Sequence, residues 1–251
     1  MSFPPEALTD DAFLDGRLRL WQPRTGYRAA MDPVLLAAAV PAQAGEAVLD
    51  LGCGAGAAAL CLGTRVPGLC LTGLELQPGY AGLARRNAAR NGIALEVVEG
   101  DLAAMPAGLK GRAFDHVIAN PPYYGTAAPP AADPGRDRAL REATPLAEWI
   151  AAGLKRLRPG GRITLIQAAD RLPDILAALG RGAGSIAVRP VAPRAGRPAR
   201  RVIVAARKGG RGAFRLLAPL VLHAAPAHAG DGEDFTAEAA GILRSAAAIS
   251  M

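Results

Sequence analysis

From residue 47 onward the chain alternates short, continuous apolar runs with longer Ala/Leu-rich stretches. This pattern predicts βαβ units on a mostly parallel sheet. Residues 47–51 read as a strand that ends in a glycine-dense turn, followed by a helix to about Arg65. The next strand covers 69–74, and a helix over 78–91 has proline in its first turn and Asn91-Gly92 as its stop. Strands three and four fall at 94–98 and 114–119, a helix at 145–157 is closed by Arg158-Pro159-Gly160-Gly161, and the fifth strand covers 162–167. After a helix over 173–179, residues 186–191 and 201–206 are expected to pair as a hairpin across the link 193–200. The expected fold class is α/β: a doubly wound, mostly parallel seven-stranded sheet with an antiparallel C-terminal hairpin.

Two segments flank this core, giving an expected division into 1–46, 47–210 and 211–251. The N-terminal extension holds a short strand at 17–21 and a helix at 32–40 with Pro33 at its first position, placed to cover a ligand site. The C-terminal part is read as a strand and a helical tail. Residues 125–137, rich in Pro, Gly and Ala, read as an irregular loop, and a long loop at a strand tip is more often functional than idle.

With 251 residues, 51% hydrophobic and 20% charged, the chain has enough apolar material for a sizeable core and too little charge for a disordered polymer. No apolar run reaches the roughly 20 residues of a membrane span, and the acidic start is unlike a secretory signal, so a soluble, cytoplasmic protein is expected. Cys53, Cys61 and Cys70 lack CxxC spacing and read as small buried apolar residues; His116, His223 and His228 are scattered. Neither a disulfide framework nor a metal site is expected. The net charge is +7, yet residues 175–230 contain ten Lys/Arg and no acid, which leaves −3 for the remainder. That distribution predicts an electrostatic footprint for an anionic polymer.

Candidate chemistry sits at the strand ends. Gly52-Cys53-Gly54-Ala55-Gly56, after Val48-Leu49-Asp50-Leu51, lets the backbone approach a ligand at the start of a helix. The same run satisfies a dinucleotide fingerprint through Gly52, Gly54 and Ala57, so a nicotinamide or flavin enzyme is one reading. Glu75, 25 residues after Asp50 and followed by Leu76, is placed to accept both hydroxyls of a ribose. Asp101-Leu102, after the third strand, is placed to receive an adenine amino group. Three strand tips then face one crevice, where open α/β sheets bind ligands.

Asn120-Pro121-Pro122-Tyr123 directly follows the fourth strand. At this motif the chain, over roughly residues 17–210, resembles the class I S-adenosylmethionine-dependent methyltransferases that act on amino groups. The resemblance implies a Rossmann-like methyltransferase fold with S-adenosylmethionine as cofactor, and it leaves the nicotinamide reading no task for the motif. It implies that Asn120, also expected among the cofactor-binding residues, and the Pro121 carbonyl accept the target N–H bonds, with the rigid Pro121-Pro122 pair fixing that carbonyl's direction. Tyr123 is expected to stack on the planar target. Similar tetrads serve adenine, guanine and protein glutamine, so the flanks must select the substrate. Residues 26–38, the extended run Asn120 to Tyr124, and the tail Asp234-Phe235-Thr236-Ala237-Glu238 resemble the bacterial tRNA1(Val) adenine-N6 methyltransferase family, with Phe235 replacing a tyrosine usual there. By that resemblance Asp32 lies over the methionine end of the cofactor or at the target pocket, and tRNA is the partner. Tyr124, Arg194, Arg197, Arg200 and Arg201 are the expected RNA contacts, the arginines gripping phosphates. Methylation of a protein glutamine N5 or a ribosomal guanine N2 is the alternative.

Overall fold

The computed structural model describes residues 3–123, 144–180, 182–225 and 234–251. Tyr124, His228 and the expected loop 125–137 lie outside them. In chain order the elements are β1 (Leu8–Phe13), β2 (Leu18–Pro23), α1 (Met31–Ala38), β3 (Ala47–Leu51), α2 (Ala57–Arg65), β4 (Cys70–Glu75), α3 (Pro78–Arg90) and β5 (Leu95–Glu99). There follow α4 (Ala107–Lys110), β6 (Phe114–Ala119), α5 (Leu146–Arg156), β7 (Leu157–Ala168), α6 (Leu172–Leu179), β8 (Ala183–Arg194), β9 (Arg201–Lys208), β10 (Arg215–Leu216), β11 (Leu220–His223) and α7 (Ala237–Ser245).

The main sheet runs β10-β8-β9-β7-β6-β3-β4-β5, with β11 also pairing with β8. Strands β5, β4, β3, β6 and β7 are parallel, and the hairpin β8–β9 joins β7 antiparallel. The seven expected strands are all present, and β10 and β11 extend the sheet to nine. Strand β8 is 12 residues long, and the two short strands cover successive parts of its outer edge, β10 opposite Ala187 and Val188 and β11 opposite Val191 to Arg194.

Successive residues of each strand feed opposite layers. Val48, Ile118, Ile166 and Ile203 pack under α1, α2 and α7, whereas Leu49, Leu51, Val117, Leu165 and Val204 pack against α5 and α6. Burial on both faces explains why these strands are continuous apolar runs rather than alternating ones. The ligand-side ends of the parallel strands are thereby aligned at one edge.

Several local expectations are corrected. The strand at the N-terminus pairs with an unforeseen β1 in a separate antiparallel sheet. Pro33 is the third residue of α1 rather than its first. Arg158-Pro159-Gly160-Gly161 is taken into β7, whose ladder with β6 shifts register between Phe114 and His116 to absorb it. Cys53 and Cys61 are buried as free thiols, but Cys70 opens β4 on an exposed position. Among the described residues no helix is long and apolar enough to cross a membrane.

Candidate active site

A cavity of about 560 Å³ lies at the carboxyl ends of β3, β4, β5 and β6. The β3 turn contributes Asp50, Gly52, Cys53 and Gly54; β4 and β5 contribute Glu75, Leu76, Asp101 and Leu102. The segment after β6 contributes Asn120, Pro121, Pro122 and Tyr123, and Asp32 and Arg201 close the far side. Gly56 stands one step back as the N-cap of α2, with φ +88°.

Gly52 is required for two reasons: its φ is +65°, and a Cβ there would come within 2.4 Å of the Trp149 ring. At Gly54 the neighbouring space is open, with the Tyr27 ring 3.8 Å from the position a Cβ would take. Glu75 braces this turn: its Oε2 accepts from Gly54 N at 2.9 Å and its Oε1 from Gln77 N at 2.8 Å. Burial raises the Glu75 carboxyl above its ordinary range, against those backbone hydrogen bonds. Asp101 Oδ1 accepts from Ala103 N at 2.8 Å, which fixes the carboxylate at its strand tip. Burial also keeps the Cys53 thiol neutral, consistent with a packing role.

Asp50 is 2% exposed, its Oδ2 accepts from Ala59 N at 3.2 Å, and burial pushes its carboxyl up to about 8. The unfolded carboxyl releases its proton near 3.8, so across that window the folded state binds more protons and stability falls as pH rises. Replacing Asp50 by Asn should remove this slope. Thermal unfolding followed from pH 4 to about pH 8 should show the wild type losing more stability than Asp50→Asn. Parallel curves would refute the assignment.

The motif after β6 is held by two polar clusters. Asn120 Nδ2 donates to Tyr27 Oη at 3.2 Å, while Asn120 Oδ1 is buried with no hydrogen-bond partner among the described residues. Tyr27 is itself fixed, because Tyr80 Oη accepts from its N–H at 2.9 Å and donates to its carbonyl at 3.1 Å. Tyr123 Oη donates to Asp32 Oδ2 at 2.5 Å. Arg201 Nε donates to the same oxygen at 2.8 Å, and its guanidinium carbon stands 5.5 Å from the Tyr123 ring centre. Burial, then the Asp32 charge, raise the Tyr123 phenol, so it remains a donor. The ring is therefore locked with its edge on Asp32 and one face under Arg201.

The four arginines expected at the RNA surface separate into three situations. Arg201 belongs to the pocket. Arg194 turns inward: its Nη1 donates to Asp234 Oδ2 at 2.7 Å and it is 9% exposed. Arg197 and Arg200, on the link between β8 and β9, are exposed. Three pocket-side residues escaped the sequence reading. Tyr27 lay within the stretch 26–38 without a role of its own, Trp149 carried no motif, and Gln167 had only one signal, a polar residue ending the strand run 162–167.

The family model described as "Methyltransferase small domain" matches residues 31–181. The chain belongs to the methyltransferase small domain family. It is 37% identical over 155 residues to a release factor glutamine methyltransferase of Deinococcus radiodurans, covering 57% of this chain and 53% of that one. It is 31% identical over 200 residues to a tRNA1(Val) (adenine(37)-N6)-methyltransferase of Dickeya chrysanthemi, covering 78% of each. The chain thus spans about half of the first relative and more than three quarters of the second. A solved structure from Agrobacterium tumefaciens, titled a "predicted O-methyltransferase", aligns with a TM-score of 0.72 and 30% identity over 88% of this chain and 99% of that one.

Membership of this family implies S-adenosylmethionine as the cofactor. The pocket suits such a group: a glycine turn admits close backbone approach, and three buried carboxylates, Asp32, Asp50 and Glu75, line a space wide enough for a nucleoside with a cationic tail.

Proposed function

We propose that the chain methylates the exocyclic N6 amino group of an adenine in tRNA. One observation carries the reading: Asn120 lines the pocket, its Oδ1 is buried without a hydrogen-bond partner among the described residues, and its Nδ2 donates to Tyr27 Oη. A buried acceptor without a donor costs about 1–3 kcal/mol, and a substrate N–H supplies the missing donor. Bound S-adenosylmethionine supplies an electrophilic methyl group. Glu75 accepts the ribose hydroxyls, Asp101 the adenine amino group, and Asp50 and Asp32 line the methionine end, Asp32 with its charge shared with Arg201. Gly52, Cys53, Gly54, Leu76 and Leu102 line the cofactor, and Gly56 sets the turn.

An aromatic amino group is a poor nucleophile because its lone pair is delocalised into the ring. Asn120 Oδ1 and the Pro121 carbonyl take its two N–H bonds and turn the lone pair out of the ring plane, toward the methyl. The locked Tyr123 ring stacks on the base and faces the developing positive charge. Among the described residues no histidine lines the pocket and the carboxylate at the motif, Asp32, is taken by Tyr123 and Arg201, so alignment carries the rate and the methylated nitrogen passes its surplus proton to water. In this reading residues 1–46 cover the site, 47–210 form the catalytic core, and 211–251 close the sheet. Exposed Arg197 and Arg200 take phosphates, and Tyr124, outside the described residues, is proposed as a further RNA contact; Arg194 and Arg201 are tied to Asp234 and Asp32.

The tRNA reading is favoured over protein glutamine by the longer match to the adenine-specific relative and by the acid-free basic stretch. Incubation with labelled cofactor, total tRNA and purified release factor, followed by mass spectrometry, tests it. Label in N6-methyladenine of tRNA is expected; label confined to a release-factor glutamine would replace this reading with the second one.

A further inference from the structure

Gln167 ends the inner part of β7, beside the motif that follows β6, and it is fully buried. Its Nε2 donates to the Pro121 carbonyl at 3.3 Å and to the Pro122 carbonyl at 3.1 Å, and its Oε1 accepts from its neighbour Ala168 N at 2.8 Å. Both amide hydrogens are spent on the two proline carbonyls. The orientation of the amide is fixed by chemistry: reversed, its oxygen would face two carbonyl oxygens and its nitrogen a backbone N–H. Proline has no N–H, so Pro121 and Pro122 cannot be held by donating to a neighbour, and their carbonyls are the handles left to the fold.

The geometry points to Gln167 as a positioning residue for amino-group methylation. By occupying one lone-pair direction of the Pro121 oxygen, it leaves the other directed for the substrate N–H, and by holding Pro122 it sets the approach of Tyr123. This assignment rests on the reading that the Pro121 carbonyl accepts the target amino group. The glutamine does not touch substrate; it acts through the backbone that does. The same role applies to an adenine or a glutamine acceptor, because both present a planar NH2.

Two near-isosteric variants test it on the full chain with S-adenosylmethionine at saturation. Gln167→Met removes both donors and should lower kcat by about 30-fold while KM for S-adenosylmethionine changes less than about twofold, since misplacement by about 1 Å costs up to 100-fold. Gln167→Glu restores one donor only when its carboxyl is protonated. Its kcat relative to wild type should therefore rise as pH falls from 8.5 toward 6, over roughly the range where a buried carboxyl titrates. A merely structural role moves stability but not this ratio. Wild-type kcat in a folded Gln167→Met, or a pH-independent ratio for Gln167→Glu, would overturn the assignment. Failure of the wild type to methylate tRNA would strike only the adenine reading, and the variants would then be read on the release-factor glutamine.

Discussion

Asn120→Ala is expected to lower methyl transfer by about 1,000-fold while leaving the affinity for S-adenosylmethionine within about threefold of wild type. The asymmetry follows from the two ends of the Asn120 amide. Its Oδ1 has no partner among the described residues, so truncation breaks no described bond there and removes the acceptor assigned to the substrate. Its Nδ2 is tied to Tyr27 Oη at 3.2 Å, so truncation also releases the tyrosine that walls the pocket beside Gly54. Tyr27→Phe separates these effects: it removes the anchor but keeps the acceptor, and a loss of about tenfold or less is expected. Single-turnover rates with bound labelled cofactor, together with calorimetric titration of S-adenosylmethionine, read both quantities. Equal losses in rate and cofactor affinity for Asn120→Ala would show that Oδ1 serves the cofactor instead of the acceptor.

The strand tips that form the pocket were legible because local chemistry dictates them. Ala47–Leu51 and Phe114–Ala119 are largely apolar runs buried on both faces, and Asp50, the last residue but one of its strand, and Asn120, the first residue after its strand, mark where the chain leaves the sheet. The edges were less legible because distant charges hold them. Strand β1, Leu-Thr-Asp-Asp-Ala-Phe, looks like a loop until Arg19 and Arg90 pair with Asp10 and Arg28 with Asp11. Asp10 is held down at about 2 by those arginines, its hydrogen bond to Arg90 first.

The basic stretch illustrates the same limit. Arg194, Arg197, Arg200 and Arg201 occupy one short segment of similar composition. Arg194 finds Asp234 forty positions on, and Arg201 finds Asp32 at a separation of 169. A run of like charge in sequence thus splits into two exposed cations and two internal ties once the hairpin folds. The tie through Arg201 joins the N-terminal helix, the motif after β6 and the C-terminal hairpin at a single carboxylate, Asp32.

Glu75→Gln should weaken S-adenosylmethionine binding by about 100-fold, equivalent to about 2.7 kcal/mol. The carboxylate has two acceptor oxygens, and each already takes a backbone N–H, from Gly54 and from Gln77. In an amide one of those oxygens becomes an NH2 group, which must face a backbone donor. At a site 6% exposed, an unmet N–H costs about 1–3 kcal/mol, and the turn can escape the clash only by moving Gly54 or Gln77 away from the pocket. The remaining oxygen must then serve the backbone and a ribose diol together. Both effects fall on binding and neither on the acceptor side, so kcat at saturating cofactor should stay within about threefold of wild type. Adenosine offers the discriminating probe, because it carries the ribose but neither the sulfonium nor the carboxylate. If Glu75 holds the sugar, adenosine should lose the same factor as the full cofactor in competition calorimetry. A loss for S-adenosylmethionine alone would place Glu75 at the charged end instead, and the ribose would then need another acceptor at the β4 tip.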